Sequence, residues 1–130
     1  MLLSISKTFE FSASHAIEGL PTTHKCSRLH GHSYRVRIEC EGTPDEVGFV
    51  IDYGELGWVS GFIDKTLDHH HLNDVLPVNP TAENIAVWLW DQIAEWLRGR
   101  PEIKRIHGLT VAVSESRSTW ATLRSPLTEA

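Results

Sequence analysis

Phe9, Phe11, Ala13 and His15 fall on one parity of the chain; Glu10, Ser12 and Ser14 fall on the other. Strand side chains alternate between two faces, so this pattern predicts a half-buried strand over residues 2–16. Ser33-Tyr-Arg-Val-Arg-Ile-Glu39 alternates in the same way and predicts a second strand, reaching Gly42. The period then changes. Leu56, Ile63 and Leu67 recur at helical spacing, and Asp52 with Glu55 three residues on reads as a capping box. Gly54, Gly57 and Gly61 each weaken that helix by roughly 1 kcal/mol relative to alanine. They signal either close packing against a neighbour or a weak helix. Ile85, Trp88, Leu89, Ile93, Trp96 and Leu97 define a second helix, opened at Pro80 or Thr81 and stopped by Arg98-Gly-Arg-Pro101. Ala86, Val87, Trp90 and Ala94 give it another apolar face, so it should be buried on more than one side, with its tryptophans in core or subunit interface. Alternation returns in Ile103–Glu115 and in Trp120–Arg124, and Ser125–Ala130 reads as a loose tail.

The order is therefore ββααββ. Two antiparallel hairpins with two helices on one face make an α+β layer with a four-stranded antiparallel sheet. Such a sheet has two open edges, and assembly through them into an oligomeric β-barrel is the physical expectation. The 130 residues suggest a single domain, 1–130. Hydrophobic residues at 41% and charged residues at 22% are those of a soluble globular protein. No apolar run approaches the ~20 residues of a membrane span. Met1–Ser6 is too short for a signal peptide, so a cytoplasmic location is expected. The net charge of −5 argues against a general nucleic-acid partner, which needs a basic face.

The chemistry concentrates in Cys26-Ser-Arg-Leu-His-Gly-His32. If the second strand begins near His30, then His30 and His32 share a face and can grip one ion. Catalytic zinc usually takes three protein ligands, and His15, at the end of the first strand, is the candidate for the third. Cys26 lies beside Lys25 and Arg28, surroundings that suit a reactive sulfur. Its alternative role is a fourth ligand in a closed structural zinc site. Cys40, in a strand, reads as inert core. Asp68-His-His-His71 is a second cluster, in which a carboxylate can orient an imidazole for proton transfer. Three adjacent histidines leave the working one open. Glu115 shares the parity of Leu109, Val111 and Val113, and is either a substrate anchor or a solvated strand end.

Four stretches together, Phe11-Ser-Ala-Ser-His15, Lys25–His32, Leu67–Asn73 and Asn79–Asn84, resemble the 6-pyruvoyl-tetrahydropterin synthase family, and within it the bacterial 6-carboxy-5,6,7,8-tetrahydropterin synthases of the queuosine pathway. The resemblance covers roughly residues 5–124. It implies a tunnelling fold whose subunits form a trimeric barrel, often a hexamer. It implies Zn2+ on His15, His30 and His32, Cys26 as the proton-abstracting residue, Asp68 and His69 as its relay, and Glu115 as the anchor of a pterin ring. The substrate would be 7,8-dihydroneopterin triphosphate. Lys25 and Arg28 are the candidates for its triphosphate, and Thr81 is a further candidate for substrate contact. A pyruvoyl-type lyase, a non-catalytic zinc module and a cupin-like zinc protein remain as alternatives.

Overall fold

The computed structural model describes residues 1–127. Strands β1 (Leu3–His15), β2 (His30–Gly42), β3 (Ile106–Ser114) and β4 (Ala121–Pro126) form one antiparallel sheet in the order β1-β2-β3-β4. Helices α1 (Gly57–Thr66) and α2 (Ala82–Arg98) lie between β2 and β3 in the chain. The apolar parity of each strand makes the core with them: Phe11, Tyr34, Val36, Ile38, Val111 and Val113 are all buried. Leu56, Ile63 and Leu67, the stripe read from the sequence, are buried too, as are Leu89, Ile93 and Leu97 of α2. The buried Trp90 indole donates to the Leu109 carbonyl at 2.8 Å, which ties α2 to β3.

Several elements differ from the sequence reading. Asp52 does cap, accepting from the Gly54 amide at 2.9 Å, but what it opens is a 3-10 turn, Tyr53–Leu56, and α1 follows at Gly57. Glu55 does not fold back to complete a capping box; its carboxylate meets Arg100 at 2.7 Å. A Cβ built at Gly57 or Gly61 meets nothing within 4 Å, so these glycines mark a weak helix and not a close approach. Gly42 is the opposite case: a Cβ there would collide with the Arg105 carbonyl. Helix α2 buries Ala86, Trp90 and Ala94 of its second apolar face, and Val87 of that face is exposed. Trp88 and Trp96 join Trp58 and Phe62 in a half-exposed stack between the helices, with Trp58 and Trp96 ring centroids 4.9 Å apart. Pro101 opens a 3-10 turn, Pro101–Lys104, which delays β3 to Ile106. The tail is shorter than expected, because Ser125 and Pro126 complete β4 and Leu127 is buried. Residues 128–130 of that expected tail lie outside the described residues.

The long β1–β2 connection is held by two asparagines from the motifs. Asn73 bonds both the amide and the carbonyl of Ala16, at 2.9 and 2.8 Å. Asn79 does the same to Glu18, at 2.9 Å each. These side chains replace backbone partners that an irregular segment lacks, and they fix the chain on either side of His15.

Candidate metal centre and its flanking clefts

The β1–β2 register places His15 opposite His30 and Ala13 opposite His32. All three imidazoles share the parity of Phe11 and Tyr34, so they project from the core-facing side of the sheet at its end. Their ligand nitrogens all lie within 4.8 Å of one another, with His15 Nε2 and His30 Nε2 at 3.0 Å. This group could hold a metal ion, as the sequence reading expected.

Backbone carbonyls set the tautomers. His15 Nδ1 lies 2.7 Å from the Pro80 carbonyl, and His30 Nδ1 lies 2.6 Å from that of Arg28. A carbonyl only accepts, so each Nδ1 carries the proton and each Nε2 lone pair faces its neighbours; metal-binding histidines are commonly oriented this way. Burial lowers the pKa of His15 and of His32, a shift that the Glu115 charge only partly opposes. Both rings are therefore neutral near pH 7, the form that ligates. His32 Nε2 is buried without a hydrogen-bond partner. An orphaned buried nitrogen is costly, and an ion among the three rings would satisfy it. The residues present fit a metal.

Glu115, just past β3, sends its Oε2 to 3.8 Å from His15 Nε2 and 4.0 Å from His32 Nε2. The loop that carries it is fastened by Arg35, which donates to Ser114 Oγ and to the carbonyls of Ser116 and Arg117, at 3.2, 3.2 and 3.3 Å. Arg35 also lies over the Trp120 ring at 4.8 Å. Tyr34, fully buried, stacks on Phe11 and brings its hydroxyl to 3.2 Å from His15 Nδ1. Neither Arg35 as loop clamp nor the Tyr34 contact was foreseen. Tyr34 shares the parity of His32, which could have suggested it; nothing local marks the Pro80 carbonyl.

The second histidine cluster docks on the free edge of β1. The His69 amide donates to the Ser12 carbonyl at 2.7 Å, and Ser14 donates to His70 at 3.2 Å. Asp68 accepts the Ser12 amide at 2.9 Å through one oxygen and meets His69 Nδ1 at 2.9 Å through the other. The Ser12 amide bond, then the His69 bond, holds its carboxyl below the usual range. Only His69 of the three is on the carboxylate: His70 Nδ1 faces the Asp68 carbonyl, and His71 Nδ1 faces Ser14 Oγ. His69 adopts φ 59°, a left-handed backbone. One cleft beside the centre is lined by Ser12, His32, His69, His70 and His71, another by Glu10, Arg35, Asp68, Glu115 and Arg117.

Cys26 stands apart. It sits on the 3-10 turn Lys25–Ser27, half-buried, with its carbonyl bound by the Ile17 amide at 2.8 Å. It belongs neither to the metal group nor to the lining of those two clefts. Among the described residues no hydrogen bond joins it to Asp68 or His69, so the relay drawn from the sequence is not closed within the chain. Lys25 and Arg28 are exposed at the two ends of the same turn. Thr81 caps α2, its hydroxyl accepting the Asn84 amide at 3.1 Å.

An antiparallel sheet with a two-helix cover, carrying three convergent imidazoles beside a carboxylate-lined cleft, defines an α+β protein with a group that could hold a metal ion next to a polar cleft. The family model described as 6-pyruvoyl tetrahydropterin synthase matches residues 4–126. A putative 6-carboxy-5,6,7,8-tetrahydropterin synthase of Archaeoglobus fulgidus is 32% identical, covering 95% of this chain and 96% of its own. The 6-carboxy-5,6,7,8-tetrahydropterin synthase of Synechocystis is 35% identical, covering 87% and 90%. In structure, the 6-pyruvoyl tetrahydropterin synthase of Plasmodium vivax superposes with a TM-score of 0.80 at 22% identity, over 97% of this chain and 99% of that one, and so shares the fold. The chain belongs to the 6-pyruvoyl tetrahydropterin synthase family, a family of enzymes.

Proposed function

We propose that this enzyme is a zinc-dependent 6-carboxy-5,6,7,8-tetrahydropterin synthase. It converts 7,8-dihydroneopterin triphosphate to 6-carboxytetrahydropterin, acetaldehyde and triphosphate, a step toward queuosine-type 7-deazapurines. The observation that carries the reading is the convergence of three imidazoles in a chain about one-third identical to relatives of that name.

His15, His30 and His32 would hold the zinc ion, which when bound would supply Lewis-acid polarisation of the substrate's side-chain oxygens. Glu115 accepts two N–H groups from the edge of the pterin ring, and charge-assisted pairs of this kind fix orientation. The Cys26 thiolate takes the proton from the substrate side chain. Asp68 holds His69 in the tautomer that carries its proton on Nδ1, which leaves Nε2 free to accept a proton and supports the charged imidazolium that results. Lys25 and Arg28, both exposed and basic, contact the triphosphate, and Thr81 lies at the substrate's margin as a helix cap. The enzyme works as a trimer or hexamer. Its free thiols, Cys26 and Cys40, suit a reducing compartment such as the cytoplasm.

The test is to incubate purified protein with dihydroneopterin triphosphate, follow acetaldehyde, and weigh the pterin product. A carboxytetrahydropterin mass is expected; a pyruvoyl product, or no turnover by zinc-loaded protein, rejects the assignment. Cys26→Ala should keep its zinc and lose turnover by at least about a hundredfold. Loss of zinc from that variant would instead mark the sulfur as a ligand.

A further inference from the structure

Glu115 Oε2 is, with His32 Nε2, one of two buried side-chain atoms left without a hydrogen bond among the described residues. The two orphans are 4.0 Å apart, and the carboxylate oxygen is 3.8 Å from His15 Nε2. Among the described residues no arginine or lysine pairs with this carboxylate, and its only charge partners are those histidines. A tetrahedral ion with bonds of ~2.0–2.1 Å sets its donors about 3.3 Å apart. The spacings from Glu115 to His15 and His32 exceed that value by less than an ångström, while the compact group of donors is made by the three histidines alone, so the carboxylate sits at its margin. The Arg35 clamp on Ser116 and Arg117 fixes the direction from which Glu115 enters.

We infer that Glu115 is a displaceable fourth ligand of the metal: without substrate its carboxylate binds the ion beside His15, His30 and His32, and an arriving pterin ring draws it away. This rests on the reading above, in which the same carboxylate receives the pterin N–H edge. One carboxylate oxygen cannot fully serve both partners, so ring binding and the opening of a coordination position become one event. Diols without the right ring would meet a closed ion. The device selects for the heterocycle before the metal becomes available to the side-chain oxygens.

Cobalt(II) in place of zinc reports this directly through its visible absorption, whose position and intensity follow the donor set. Wild-type protein, Glu115→Gln and Glu115→Asp are loaded with cobalt, and zinc affinity is measured by chelator competition. Both variants should have visible bands different from those of wild type, and Glu115→Gln should bind zinc about tenfold more weakly. Adding neopterin, an unreactive oxidised pterin, should move the wild-type bands toward those of Glu115→Gln. Superimposable spectra and equal affinities in all three proteins overturn the inference, as does neopterin binding to wild type without any spectral change. Failure of the function reading looks different: the spectra and affinities still depend on Glu115 while no acetaldehyde is formed from dihydroneopterin triphosphate. A protein that takes up no cobalt rejects both.

Discussion

At the scale of single residues, the most informative feature is the left-handed backbone of His69, φ 59°. A non-glycine residue there costs on the order of 1–3 kcal/mol and persists only where its surroundings enforce it. Here the Ser12 carbonyl and the Asp68 carboxylate do so. The same two contacts distinguish His69 from its neighbours, which the sequence could not do, since three adjacent imidazoles are chemically alike. His69→Ala should therefore lower turnover about a hundredfold or more, while His71→Ala, whose ring faces Ser14, should lower it only a few-fold. Comparable losses in steady-state assays would remove His69 from the relay. The histidine triad was legible because period two puts His30 and His32 on one face, and the β1 pattern ends on His15. Its second consequence is acid sensitivity. Burial lowers the folded pKa of His15 and His32 below 6.5, so the unfolded chain binds protons first as pH falls. The stability these residues contribute to the metal-free protein is complete above about pH 6.5 and is lost as pH drops through the depressed folded values. Protons also compete with the ion for the ligand nitrogens. Thermal melts with and without chelator should show a zinc-dependent rise in Tm that is large at pH 8 and much smaller at pH 5; an equal rise at both would reject the triad as the binding site.

At the scale of elements, periodicity placed both helices and all four strands, and the errors fall at ends where a local device intervenes. Asp52 caps a 3-10 turn because Gly54 presents the amide it needs, and Pro101 adds another such turn before β3. Neither is visible in a hydrophobic pattern, because a single turn buries too little to leave one. The glycines of α1 were ambiguous for a related reason: a sequence records the missing side chain and not the space around it. The structure finds open space at Gly61 within regular helix. Gly61→Ala should then stabilise by about 0.5–1 kcal/mol, through helix propensity and a less free unfolded chain. Equilibrium unfolding in urea reads this as a raised midpoint with an unchanged slope. A lowered midpoint would mean that this face of α1 is packed against something after all.

At the scale of the whole molecule, the question is what covers the sheet. Its helical face is closed by α1 and α2. Its other face is polar and carries Arg35, Arg37, Glu39 and Arg124, with Arg124 bonded to Thr110 at 3.2 Å. The edges are less well provided for. Among the described residues, only 12–14 of β1 are paired outward, by His69–His71, which leaves most of a 13-residue strand without such pairing. The far edge is β4, six residues long. Long bare edges invite pairing with another chain, and natural sheets cover, shorten or close them. The polar face suits the inside of a closed barrel, where charged side chains keep water and each other as partners. An assembly in which β1 of one copy pairs with β4 of the next satisfies both edges with a single contact, and repeating that contact closes a ring. Light scattering should accordingly give three or six times the 14.7 kDa chain mass. Amides along both β1 and β4 should resist hydrogen exchange, as only paired groups do. A 14.7 kDa particle at micromolar concentration, or an oligomer in which either edge exchanges freely, would mean that the sheet is capped by something other than its own copies.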